Sequence, residues 1–303
     1  MKRFVIAMIT AALLFASPAA LAGAPQIPEE DYPIVDGSTA TLPLSYALMA
    51  ESTGISEEDA KIAIRHSKTT ESFYTLISGD SQLLLVYEPT ADVFDYAADA
   101  GVTLEMKPIG RDALVFLVND GNPVESLTHE QIIGIYTGEI TNWAQAGGDD
   151  LEIIAYQRIA NSGSQVMMEK QVMQGIKMTD APSAMRPGEM GELVDDIASY
   201  IDTPSAIGYS VYYYVNTMYM KENIRLMSVG GIAPANDAIA SGAYPYTQDF
   251  YAVIRADSAP DSPERALYDW LGSEDAAELL TRMGYVPVIT EEGYYMGYVN
   301  EGE

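Results

Sequence analysis

Leu83-Leu84-Leu85-Val86-Tyr87 is an unbroken apolar run of strand length, which suits a strand buried on both faces. A strand of that kind needs a layer on each side, and the flanking sequence supplies helices. Apolar residues fall at helical spacing over 42–52, closing at Gly54, and a second helix is expected over 56–66 with Glu57, Glu58 and Asp59 in its first turn. Further helices are expected near 128–136, 162–173 and 263–282, and strands at 32–37, 102–108, 113–119, 152–156, 207–215, 251–254 and 285–289. Such alternation implies an α/β fold with parallel sheets and right-handed crossovers. In such sheets ligands bind beyond the carboxyl ends of strands, where strand gives way to helix. No fixed-period repeat and no Pro/Gly/Ser-rich linker divides the chain, which favours two intertwined lobes. Residues 23–33 read as a disordered lead, and the Tyr- and Gly-rich end as an extension.

At 303 residues and 48% hydrophobic, the chain can bury a large core. Residues 1–22 read as a cleaved secretory leader: Lys2 and Arg3, an apolar stretch, then Ala20-Leu21-Ala22 before Gly23. Sixteen Lys and Arg stand against 44 Asp and Glu, a net charge of −28, and loss of Lys2 and Arg3 with the leader takes it to −30. Nucleic acid and anionic membranes are poor partners for that field. There is no cysteine, which excludes disulfides, thiolate chemistry and a lipid-modified N-terminal cysteine, and fits a periplasmic or secreted protein.

Two hydroxyl-rich runs stand out from the acidic background: Asp36-Gly37-Ser38-Thr39-Ala40-Thr41 and Arg158-Ile159-Ala160-Asn161-Ser162-Gly163-Ser164. Both fall at expected strand-to-helix junctions, where unpaired backbone N–H groups and the positive end of the helix dipole are exposed. Ser162 suits an N-cap, Gly163 permits close backbone approach, Ser164 adds a hydroxyl, and Arg158 offers a bidentate fork for an oxyanion. Together they describe a socket for a small anion. The competing reading is two ordinary capped helices and a surface arginine. The segment 66–72 is a third polar junction, open to the same two readings. Glu88 follows the buried strand, where an anion site would place an acceptor, although a lone glutamate there is usually solvated.

Other chemistries find little support. His66 and His129 are the two histidines and lie in no metal-ligand spacing. No Gly-x-Ser-x-Gly elbow and no Gly-rich nucleotide loop occurs. The tyrosines of 209–219 read as a half-buried strand rather than a stacking platform.

The run at 36–41 resembles the opening of PstS-type phosphate-binding proteins, the solute receptors of phosphate ABC importers. In order along the chain, Gly110-Arg111-Asp112-Ala113-Leu114-Val115-Phe116, Asn122-Pro123-Val124, Leu127-Thr128, Gln131-Ile132, Ile135-Tyr136-Thr137-Gly138 and Ile140-Thr141-Asn142-Trp143 are similar to the same family. So are Arg158 with Asn161-Ser162-Gly163-Ser164, and Ile207-Gly208-Tyr209-Ser210.

The resemblance implies a periplasmic-binding-protein fold, two α/β lobes joined by a hinge: 23–110 plus 248–303, and 111–247. It implies that Ser38, Thr39 and Thr70 donate to phosphate from one lobe, and Arg158, Ser162, Gly163 and Ser164 from the other. Glu88 would take the family's proton-accepting acidic position. Hydrogen phosphate could donate to it, whereas sulfate would meet a carboxylate with a lone pair. The implied protein is a periplasmic monomer, without metal or cofactor, that delivers phosphate to a membrane permease. Alternatives are the same fold tuned to another oxyanion or small acid, a phosphate-ester hydrolase, or a sensor or adhesin.

Overall fold

The computed structural model describes residues 23–160, 162–182, 185–188, 190–199 and 204–297; the expected leader and Asn161 lie outside them. In chain order the elements are Val35–Gly37 (β1), Leu42–Thr53 (α1), Glu57–Ala63 (α2), Thr69–Ser78 (α3), Leu83–Tyr87 (β2), Ala91–Asp99 (α4), Thr103–Asn119 (β3), Ser126–Leu127 (β4), His129–Thr137 (α5) and Ile154–Ala155 (β5). They continue with Gly163–Met167 (α6), Met190–Ser199 (α7), Ala206–Val211 (β6), Ile224–Leu226 (β7), Ser228–Val229 (β8), Asn236–Ala240 (α8), Thr247–Arg255 (β9), Pro263–Trp270 (α9), Glu274–Arg282 (α10), Val286–Pro287 (β10) and Tyr294–Gly297 (β11).

The apolar run forms β2 as expected, and its alternation is physical. Leu83, Leu85 and Tyr87 join the main core, whereas Leu84 and Val86 face a second core with Phe73, Leu76 and Val93 from α3 and α4. Each such leucine or valine contributes roughly 1.5–3 kcal/mol by burial, so both faces hold the strand in place. β1 pairs in parallel with β2, and Gly37 ends it under a hard constraint: a Cβ there would lie 1.9 Å from the Leu85 carbonyl oxygen.

The sheet order is β1-β2-β9-β3-β6-β5. The expectation of parallel sheets needs correcting, because β9 runs antiparallel to both β2 and β3, and β6 antiparallel to β3; the parallel pairs are β1–β2, β4–β8 and β5–β6. The two strands expected at 102–108 and 113–119 are one strand of 17 residues. Its first part pairs with β9 through Ala113↔Thr247, and its last part with β6 from Leu114↔Val211. β3 therefore passes from one sheet half into the other between residues 113 and 114, where the Leu114 N–H donates to the carbonyl of Tyr246, the residue before β9.

Three local readings also change. The lead at 23–33 is packed: Ala24 and Ile27 are buried, and the Ile27 N–H donates to the Ser52 carbonyl on α1. The C-terminal extension pairs with β3 as β11. The tyrosine cluster leaves its strand at Val211 and closes as a π-helical turn over Tyr214–Met218.

Candidate functional site

Three helix starts meet at one point. The first is the helical run that opens at Thr39–Thr41 and continues as α1, the second is α3, and the third is α6, which continues without a break into a π-helical turn, Met168–Met173. Ser38, just before the first, lies with its Oγ 2.9 Å from Thr69 Oγ1 at the start of the second. Gly163, at the start of the third, approaches so closely that a Cβ would lie 2.9 Å from Thr69 Oγ1 and 3.7 Å from the Tyr87 ring. Each start brings unpaired N–H groups and a partial positive charge, so three together repel one another and favour an anion between them. The acids are arranged to permit this: the first turns of α1 and α6 hold none, and the one in α3, Glu71, is exposed.

The first two starts are fastened from below. Asp36 accepts from four donors, the Gly37 N–H (2.7 Å), the Ser67 N–H (2.6 Å), Ser67 Oγ (2.6 Å) and Thr75 Oγ1 (2.9 Å). That saturates its carboxylate and makes it a clamp between β1 and α3, not a ligand. The clamp holds Lys68 at φ 79°, ψ 169°, a conformation that costs a non-glycine residue about 1–3 kcal/mol and that turns the chain into α3. His66 links the same parts: Nδ1 donates to the Ser38 carbonyl (2.7 Å), which leaves Nε2 to accept from Ser45 Oγ (3.0 Å). Burial lowers the His66 pKa, in keeping with this neutral form.

Arg158 is buried after β5. Its backbone N–H is 3.2 Å from both Gln165 Oε1 and the Tyr209 hydroxyl, which are bonded to each other, and its Nη2 donates to the Gly188 carbonyl at 3.1 Å. Ser162 caps α6, its Oγ accepting from the Gln165 N–H at 3.3 Å. Ser164 Oγ is fully buried with no hydrogen-bond partner among the described residues, an unspent donor beside the meeting point.

Ser38, Thr70, Ser162, Gly163, Ser164 and Arg158 are buried and Thr39 half-buried. The helix-start contacts bring Ser38 and Gly163 together through Thr69, one residue before the Thr70 that sequence reasoning singled out; the strained turn at Lys68 sets that register. Glu88 is different. Its side chain is 29% exposed, and Oε1 is ion-paired with Lys170 Nζ at 2.5 Å.

Sequence reasoning also missed Tyr87 and Asp112. The Tyr87 N–H donates to Ser38 Oγ at 3.2 Å, and its hydroxyl donates to Asp112 at 2.6 Å. Asp112 sits on β3 where the strand changes sheets, and also accepts from the Ala113 (2.7 Å) and Tyr213 (3.1 Å) N–H groups. Burial without a cation among its contacts pushes its pKa up to about 6 despite those donors. A raised carboxylate pKa means the folded protein holds its proton more tightly than the unfolded chain. The neutral acid's contribution is full below the unfolded value near 3.8 and fades as pH rises through about 6, at an eventual cost of about 3 kcal/mol. The melting-temperature difference between Asp112→Asn and wild type should therefore move in the variant's favour from pH 4 to pH 7. An equal difference at both pH values would exclude a raised Asp112 pKa.

Among the described residues no group of three or more His, Asp or Glu is placed to hold a metal, and no helix is long and apolar enough to cross a membrane. The chain is 25% identical over 260 residues to the phosphate-binding protein PstS of Bacillus subtilis, covering 84% of this chain and 80% of that one. Among solved structures it is similar to a phosphate ABC transporter substrate-binding protein from Clostridium perfringens with bound phosphate (TM-score 0.65, 20% identity, 84% and 99% of the two chains). It is also similar to an ABC-type phosphate transport receptor from Vibrio cholerae (TM-score 0.61, 24% identity, 83% and 98%). A family model described as a PBP superfamily domain matches residues 23–273, and the chain belongs to that superfamily.

Proposed function

We infer that this chain is the extracytoplasmic solute-binding protein of a phosphate ABC importer, a monomer that binds without turnover and hands its cargo to a membrane permease. The convergence of three helix starts on Ser38, Thr69 and Gly163, with Ser164 unpartnered on α6 and buried Arg158 tied through its backbone to Gln165 of the same helix, carries the reading. The solved relatives named for phosphate support the choice of anion, and the PstS relatives an address outside the cytoplasm. The two lobes are proposed as 23–110 with 248–303, and 111–247, hinged where β3 and the 246–247 segment pass between sheet halves. Ser38, Thr39, Thr69, Thr70, Ser164 and the Gly163 N–H are the proposed donors, with Arg158 as the cation and Ser162 as the cap that keeps α6 aimed.

With Glu88 engaged by Lys170, the site relies on hydroxyls, which donate to sulfate as readily as they accept the proton of hydrogen phosphate, so the preference between the two anions is modest. Calorimetry on protein unfolded and refolded free of ligand should show one saturable site for phosphate, with weaker binding of sulfate. A protein that ignores phosphate but binds another small acid would overturn the choice of anion. Steady release of product from a chromogenic phosphate ester would overturn binding without turnover.

A further inference from the structure

The helical run that begins at Gly163 touches the first sheet half a second time, at its other end. Within its π-helical turn, Lys170 Nζ meets Glu88 at 2.5 Å and Gln171 Nε2 donates to Gln248 Oε1 at 3.0 Å. Glu88 immediately follows β2 and the site residue Tyr87. Gln248 lies on β9 in register with Asp112, at the crossover. The partners are 82 and 77 residues apart in sequence, so these are contacts across the fold. A π turn widens the helix, and such turns recur at functional positions. One rigid element therefore holds the anion-facing start of α6 and a pair of clasps on the opposing half.

We propose that Lys170 and Gln171 are positioning residues, clasping Glu88 and Gln248 across the cleft and setting how long the anion-loaded form stays closed. The proposal rests on the reading of the chain as a phosphate binder that closes over its ligand. Neither clasp touches the anion. Their loss acts chiefly on the dissociation rate and leaves the choice between anions unchanged. A partly exposed ion pair of this kind contributes at most about a fivefold change, and the two clasps together about tenfold.

The test is stopped-flow release of inorganic phosphate from the refolded full chain, with small-angle scattering of the same proteins free of ligand. Lys170→Ala and Glu88→Ala should each speed release about two- to fivefold, and the double variant no more than either alone. The exchanged pair, Glu88→Lys with Lys170→Glu, should recover most of the loss. High salt should erase the Lys170 effect and spare that of Gln171→Ala. Without ligand, Lys170→Ala/Gln171→Ala should have a larger radius of gyration than wild type. Wild-type release rates together with an unchanged radius would overturn the clasp. A change in phosphate-to-sulfate ratio in Glu88→Gln, without one in Lys170→Ala, would also overturn it and return Glu88 to the anion. A wild-type protein that ignores phosphate fails the functional reading instead, and the radius measurement then still decides the clasp.

Discussion

Replacing Arg158 with methionine should reduce phosphate affinity by a factor of about 100 to 10,000 in calorimetry, the largest loss expected from any one side chain. Charge-assisted hydrogen bonds contribute about 1.5–3 kcal/mol each, and a guanidinium can make two to one oxyanion. Two such bonds sum to about 3–6 kcal/mol, and each 1.4 kcal/mol is tenfold. No other buried cation substitutes: Lys107, the other one among the described residues, donates to the Tyr268 carbonyl in α9. The backbone at 158 is held by Gln165 and Tyr209, so the variant should keep the start of α6 in place. Lysine should recover little, because its point charge cannot reproduce the planar fork. Methionine or lysine variants binding within threefold of wild type would remove Arg158 from the site.

The second large effect belongs to a methyl group. Gly163→Ala should cost at least tenfold in phosphate affinity while leaving the melting temperature of the ligand-free protein unchanged or higher. A Cβ at 163 would sit 2.9 Å from Thr69 Oγ1, closer than real contacts allow, so the Thr69 hydroxyl must turn away from Ser38 or the two helix starts must part. Alanine is otherwise the better helix residue, by up to about 1 kcal/mol, which separates the binding defect from a folding defect. Removing the obstacle with Thr69→Ala should partly rescue Gly163→Ala, despite the lost hydroxyl. If the alanine variant binds as wild type does, the helix starts do not close on one another around the ligand.

What was legible in the sequence was local. The β2 run showed through its unbroken apolarity, and the helix starts through serine, threonine and glycine at strand ends. The α5 start was equally plain, with Thr128 and Gln131 capping each other within four residues. What was hidden depended on partners far along the chain. Asp36 looked like part of a donor run, yet its carboxylate is consumed by Ser67 and Thr75, 31 and 39 residues away. Glu88 looked like a lone solvated or ligand-facing acid, and its ion pair with Lys170, 82 residues away, was not visible. The antiparallel placement of β9 against β2 and β3 has no signature in either strand. The dipeptide Thr69-Thr70 was visible, but which threonine meets Ser38 depends on a left-handed turn at Lys68 that no residue type announces.

The unbroken β3 strand also limits how this molecule can be taken apart. Its 17 residues belong to both sheet halves, so a cut anywhere within it leaves each fragment with a truncated edge and exposed backbone groups. The halves cannot be made separately and mixed back together like the domains of a beaded chain. A split or circularly permuted reporter built from this scaffold should open instead at an exposed turn such as Gly230-Gly231, leaving the shared strand whole.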